Sequence, residues 1–189
     1  LDPTGRPLWT IGIATLASRR EKLARLLAVL LPQCDADGQV EVLGFWDNGQ
    51  RTLAAKRQAT LEQAAGEYIS FVDDDDMVDG EFVAAVTYAM HELDEQDRPP
   101  DYIAFEHAYY VTGVRQPVRI VTGLDHGTWA DDLPGGVLYR DVTQVNPVRA
   151  QIAKTADFRA PSQGAEDWSY VCQVRPLLKS QARIGRVLY

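Results

Sequence analysis

Four consecutive aspartates, Asp73, Asp74, Asp75 and Asp76, close the apolar run YISFV at residues 68–72. Carboxylates held this close repel, and each disfavours ionisation of the next. A hard divalent cation with oxygen ligands relieves that conflict. A solvated acidic turn relieves it as well, by passing the charge to water. A second acidic pair, Glu166-Asp167, stands before Trp168. Its members suit proton abstraction from a substrate, and equally the first turn of a helix, where the backbone dipole favours acids. Arg19 and Arg20 fall where cations are out of place unless an anion such as phosphate sits at the helix start; plain solvation is the other reading. Asp47 opens Asp47-Asn48-Gly49. At a strand's C-terminal end it could read a base or ribose, or shape a turn.

The elements that must position these residues follow from hydrophobic period and turn chemistry. Residues 8–14 (LWTIGIA), 40–46 (VEVLGFW) and 68–72 read as strands. A helix begins near Ser18, which has capping-box spacing to Glu21. It places Leu23, Leu26, Leu27, Leu30 and Leu31 inward and stops at Pro32. A second helix over 51–65 carries Lys56 and Arg57 and ends at Gly66. The β-α-β-α-β order predicts a parallel sheet with right-handed crossovers. Its open C-terminal edge, where ligands usually bind, receives the four aspartates.

Beyond that unit the style changes. Residues 79–95 read as an amphipathic helix with Phe82, Val83, Val86, Met90 and Leu93 inward. Strands at 102–111 and 114–121 flank a tight turn at Thr112-Gly113. Residues 122–136 form a polar loop of lid-like length, and 137–142 a short strand. Residues 147–156 read as a short helix opened by Pro147, 158–164 as irregular, 166–179 as helical, and 184–189 as a final strand. The expected architecture is one α/β domain over 1–189, with a nucleotide-type half at about 8–100 and an acceptor-type half at about 101–189.

Composition bounds the reading. A chain of 189 residues, 46% of them hydrophobic, builds a sizeable core. A net charge of −8 argues against a general polyanion-binding surface. The tail does concentrate Arg175, Lys179, Arg183 and Arg186 without intervening acids. Cys34 and Cys172 fit no metal or redox spacing, which predicts buried free thiols in a reducing compartment. No apolar run approaches the ~18 residues of a membrane span, and the N-terminus shows no signal-peptide pattern. A cytoplasmic location is expected.

The segments TIGIATLASRREKL, LAAKRQATLEQAAGEYISFVDDDDMV and GAEDW together resemble family 2 glycosyltransferases of GT-A fold. The likeness is densest over residues 9–80 and resumes at Asn146-Pro147-Val148-Arg149 and Glu166-Asp167. It implies a Rossmann-like, mostly parallel sheet flanked by helices. It also implies transfer of a sugar, with inversion, from a nucleotide diphosphate, most often UDP, with Mn²⁺ or Mg²⁺ bound. Thr15 and Arg19 would line the nucleotide pocket, and Asp47 would hydrogen-bond the base. Lys56 or Arg57 would approach base or phosphate, and Asp73 the ribose. Asp75 would hold the metal, with Asp74 or Asp76 assisting. Asp167 would be the general base and Glu166 its orienting neighbour.

Two departures stand out. Many relatives carry a late histidine as a metal ligand, and none follows His126 here. The membrane helices of processive relatives are also missing, which predicts single additions. Short relatives include bacteriophage proteins, so the acceptor hydroxyl is expected on a glycan or on a modified DNA base. In a phage the setting would be the host cytoplasm. His91 and His107 read as structural, and His126 as a candidate ligand or acceptor contact. Trp129 and Trp168 could stack on a sugar or simply pack. Two other functions share some of these features: a sugar nucleotidyltransferase and a non-catalytic cation-binding module. The first normally has a glycine-rich phosphate loop after its first strand, where this chain has Thr15-Leu16-Ala17-Ser18.

Overall fold

The computed structural model describes residues 5–93, 97–110, 116–126, 136–160 and 165–189. The expected turn at Thr112-Gly113, Trp129, the middle of the polar loop, and most of the irregular stretch before Ala165 lie outside them. Strand β1 spans Trp9–Leu16, β2 Val40–Asp47 and β3 Tyr68–Phe71. Both β2 and β3 pair with β1 in parallel, as the β-α-β-α-β order requires. Helix α1 spans Arg20–Asp37, α2 Leu53–Gln63 and α3 Phe82–Met90. The remaining elements are β4 (Tyr102–Tyr109), β5 (Val118–Thr122), β6 (Val137–Arg140), β7 (Val148–Arg149), α4 (Ala150–Ala153), α5 (Glu166–Val174) and β8 (Gln181–Val187). Among the described residues the strands form one sheet in the order β2-β1-β3-β7-β4-β5-β6, with β8 added in parallel to β4. The result is the mixed α/β architecture expected: a mostly parallel central sheet flanked by helices.

Strand alternation divides the core between the two faces. On one, Trp9, Ile11, Tyr68 and Phe105 pack with α1 and α3 through Leu26, Leu30, Phe82 and Val86. On the other, Ile69, Phe71 and Tyr102 pack with α2, α4 and α5 through Leu61, Ile152, Tyr170 and Val174. Wherever the aspartates after β3 point, one of these helical layers must meet them.

Several local expectations are corrected. Pro32 lies inside α1. A helical proline loses a hydrogen bond and crowds the preceding turn. Leu26, Leu30 and Cys34 are nevertheless buried on one face both before and after it, and that packing carries the helix through. Leu31 falls off this face and is exposed. Ser18 sits in a 3₁₀ turn, Ala17–Arg19, and no side chain caps α1. Helix α2 ends at Gln63 rather than at Gly66. Gly66 is required for another reason: a Cβ there would lie 2.6 Å from the backbone nitrogen of Thr10. Helix α3 stops at Met90, leaving Leu93 exposed. Residues 148–149 are strand rather than helix, because they bridge β3 and β4 by antiparallel pairing. Cys34 is buried as expected, but Cys172 is exposed.

Candidate functional site

The alternation of β3 continues into the aspartates and sends them to opposite faces. Asp73 follows Ile69 and Phe71 toward α2 and α5, where Arg57 Nη2 lies 2.6 Å from its Oδ1. Asp74 turns toward α1 and is 1% exposed. It accepts a 2.5 Å hydrogen bond from Thr15 Oγ1 and faces Arg19 Nη1 at 3.1 Å. Asp75 pairs with Arg19 and with Lys22 Nζ at 3.3 Å. Partial burial pushes its carboxyl up, but Lys22 and Arg19 outweigh this and hold it below its ordinary value. Asp76 accepts a 2.5 Å hydrogen bond from Tyr189 Oη. Burial, together with the charges of Asp73, Asp75 and Asp74, still raises its pKa. The crowding anticipated from four adjacent acids is therefore relieved at three of them by cations of the chain itself, and remains at Asp76. The same pairs explain Arg19 at the start of α1: it answers Asp74 and Asp75. Arg20 points to solvent.

Arg57 joins the two halves of the chain. It is 3% exposed and pairs with Asp73 on one side and with Glu166 Oε1 at 2.7 Å on the other. Its guanidinium stands 6.0 Å from the centre of the Phe71 ring. Phe71 packs edge-on against Phe158, which stacks on Tyr170. An arginine this deeply buried needs both carboxylates, since an unpaired buried charge is costly. Glu166 opens α5, so Arg57 sets where that helix begins and thereby where Asp167 stands. The Asp167 carboxylate is oriented by the Trp168 N–H, which donates to its Oδ1 at 2.7 Å.

One cleft of about 1170 Å³ is lined by Asp73, Asp75, Asp76, Asp167 and Trp168 together. His107, Tyr109, Tyr110, Arg140 and Tyr189 also line it. His107 Nε2 donates to Asn146 Oδ1 at 3.1 Å, if that nitrogen carries the proton. Burial pushes the His107 pKa down to about 4, so the ring is neutral near pH 7.

Thr15, Arg19, Asp47, Lys56 and Asp74 are not among the residues that line this cleft, though Arg19 reaches it through Asp75. Asp47 accepts from Lys56 Nζ at 2.8 Å, Arg51 Nε at 3.1 Å and the Gly49 N–H at 2.9 Å. The Lys56 hydrogen bond foremost holds its carboxyl well below the usual carboxylate range. Lys56 is buried and also donates to the Thr15 carbonyl at 2.6 Å, so it ties the ends of β1 and β2 together. In this structure Asp47 shapes its turn and anchors Lys56. Thr15 and Arg19 meet at Asp74 beside the end of β3. His126 lies against Arg183 and Tyr139, and His91 is exposed.

The chain order, the sheet and the aspartate edge together can be set beside known structures. The fold is similar to that of S. aureus TarS. Against a structure of TarS 1-349 the TM-score is 0.58 at 15% identity, covering 96% of this chain and 59% of that one. Against TarS 1-349 in complex with UDP-GlcNAc it is 0.57 at 16% identity, covering 96% and 57%. A complex of TarS 1-349 with UDP gives 0.57 at 15%, covering 96% and 59%. This chain thus spans less than two thirds of those TarS structures. No family model matches the sequence, and no curated protein does.

Tyr109, Tyr110, Arg140 and Tyr189 went unmarked in the sequence as cleft residues. Adjacent tyrosines at the end of a strand read first as β-propensity. Only the run-out of β4 at Tyr109, with 61% and 78% of the two side chains exposed, separates them from core aromatics.

Proposed function

We propose that this chain is a nucleotide-sugar-dependent glycosyltransferase that moves a sugar, with inversion, from a UDP-sugar to an acceptor hydroxyl. The observation that carries the reading is that Asp167 and the aspartates at the end of β3 line one cleft, with Arg57 bonded to Asp73 and to Glu166, the neighbour of Asp167. The fold similarity to TarS, which has been crystallised with UDP-GlcNAc and with UDP, supports it.

The residues divide the work. Asp167 accepts the proton of the acceptor hydroxyl as the new glycosidic bond forms. Glu166 and Arg57 position it. Asp73, pulled into place by the same arginine, faces the donor. Asp75 and Asp76 are the residues that would hold Mn²⁺ or Mg²⁺. Among the described residues no group of three or more His, Cys, Asp or Glu converges as a metal cage. Asp75 and Asp76 would supply only part of a coordination shell, and diphosphate oxygens and water would complete it, as is usual for Mg²⁺. Such an ion would neutralise charge on the departing diphosphate. Arg19 and Lys22, bound to Asp75 here, would be freed to meet the diphosphate once Asp75 takes a cation.

The turn after β1 is Ala17–Arg19 with no glycine, which disfavours nucleotidyl transfer. Incubation with UDP-sugars and Mn²⁺, with free UDP and transferred sugar measured, tests the reading. UDP release that depends on an added acceptor is the expected result. Pyrophosphate chemistry would identify a nucleotidyltransferase, and silence with tight cation binding a cation-binding module.

A further inference from the structure

We infer that the acceptor is an uncharged saccharide chain seated on an aromatic wall made by Tyr109, Tyr110 and Trp168; this rests on the glycosyltransferase reading above. The three side chains are 61%, 78% and 38% exposed, yet all line the same cleft as the aspartates. Trp46 and Tyr88 are as exposed but do not line the cleft; what distinguishes these three is that they share it. Trp168 and Asp167 line the same cleft, so a ring stacked on the indole shares that cleft with the base that must take the hydroxyl proton. The faces of pyranose rings are apolar C–H surfaces, and aromatic side chains with one wet edge suit them. The cleft, at about 1170 Å³, is larger than the ~300–1,000 Å³ typical for one small ligand. It has room for an acceptor beside a donor.

Charge decides between a neutral acceptor and a polyanion. Asp73, Asp75, Asp76, Asp79 and Asp167 line the cleft with Arg140; Arg57, Arg19 with Lys22, and Arg186 are already paired with Asp73, Asp75 and Asp79, so these cations answer the cleft's own acids. The arginines of the tail are already paired with acids, one of them, Arg186, with Asp79 of the cleft itself. Arg175 pairs with Asp141 at 2.5 Å, Arg183 with Asp125, and Arg186 with Asp79 and Glu81 at 2.7 and 2.6 Å. Single-stranded nucleic acid also stacks on aromatic side chains, but proteins that bind it pair those platforms with a positive groove. Here its phosphates would meet carboxylates.

The test titrates cellohexaose, chitohexaose and maltohexaose, and separately oligothymidylate and inorganic polyphosphate, into protein saturated with UDP-GlcNAc and Mn²⁺. Saturation-transfer NMR and tryptophan fluorescence report binding. A thermal shift with UDP-GlcNAc is recorded first. If the donor does not stabilise the protein, the glycosyltransferase reading falls and this inference with it. If the donor stabilises the protein and no hexasaccharide binds, the acceptor inference alone is overturned. The expected result is binding of at least one hexasaccharide that changes little between about 50 and 300 mM salt, where phosphate-driven binding would fall steeply. Tyr110→Ala and Trp168→Ala, both at exposed positions, should each weaken it by about tenfold. Salt-sensitive binding of oligothymidylate or polyphosphate in preference to the saccharides would overturn the inference, as would unchanged saccharide binding in both variants.

Discussion

Asp167 and His107 show how much a single side chain's surroundings decide. Asp167 lines the same cleft as Asp73, Asp75 and Asp76, and its carboxylate, at the start of α5, accepts the Trp168 N–H. Asp167→Asn keeps size and hydrogen bonding but cannot take a proton. Transfer should fall roughly 10²–10⁴-fold while the dissociation constant for UDP stays nearly unchanged, and single-turnover kinetics beside a UDP titration would separate the two effects. Near-normal transfer would place the base elsewhere. His107 offers a pH prediction. Its folded pKa of about 4 lies below the ~6.5 of an exposed imidazole, so as pH falls the unfolded chain takes up this proton first. The contribution is complete above about pH 6.5 and is lost as pH falls toward 4, to a total on the order of 3 kcal/mol. Urea unfolding of wild type and His107→Gln across that window should show the wild type losing stability more steeply. Parallel pH curves would mean the ring titrates normally.

At the level of elements, the site depends on α2 lying close to the sheet. Gly12 in β1 makes this possible: a Cβ there would come within 2.5 Å of Thr60 Cγ2 and 3.0 Å of Phe71 Cδ1. Gly12→Ala should therefore cost about 1–3 kcal/mol by overpacking, measured by urea denaturation. Adding Thr60→Ala should recover part of it; equal losses in the single and double variants would mean the clash is not at Thr60. Arg57 is the second dependence. Arg57→Met leaves Asp73 and Glu166 facing each other without their cation. Those carboxylates are 37% and 22% exposed, so the cost should lie below that of a fully buried pair, at about 2 kcal/mol. Because α5 carries Asp167, kcat should fall by more than KM rises, and Arg57→Lys should restore stability better than activity, since an ammonium lacks the planar fork.

At the scale of the whole molecule, the proposed metal role rests on the charged edge at the end of β3. If Asp75 exchanges Arg19 and Lys22 for a divalent cation when the diphosphate arrives, UDP should raise the melting temperature more with Mn²⁺ than with chelator. Asp75→Asn should remove most of that difference. Equal stabilisation by UDP in chelator, in wild type and variant alike, would show that the chain's own cations suffice for the diphosphate. Among the described residues no helix is long and apolar enough to cross a membrane.

The strands at 8–14, 40–46 and 68–72, the helices between them and the aspartate edge were legible in the chain. Each depends on local hydrophobic period and on β-branched and aromatic runs. Glu166-Asp167 was legible as an acidic pair at a helix start for the same reason. The partners of those acids were not. That Arg57 bonds both Asp73 and Glu166, 109 residues away in sequence from the latter, depends on α2 and α5 sharing one face of the sheet. The separation of Asp73 from Asp74 follows from strand alternation, but that Arg57 of α2 meets the first and Arg19, at the start of α1, the second depends on which helix covers each face. Pro32 and Gly66 were misread because their usual local meanings yielded to packing, in one case an apolar face continuing past the proline, in the other a backbone contact that leaves no room for a Cβ. Local sequence determined which segments are strands and helices and where the acids fall along them. Tertiary packing decided which cations meet those acids, because salt bridges and cleft walls form between segments whose proximity only the folded sheet creates.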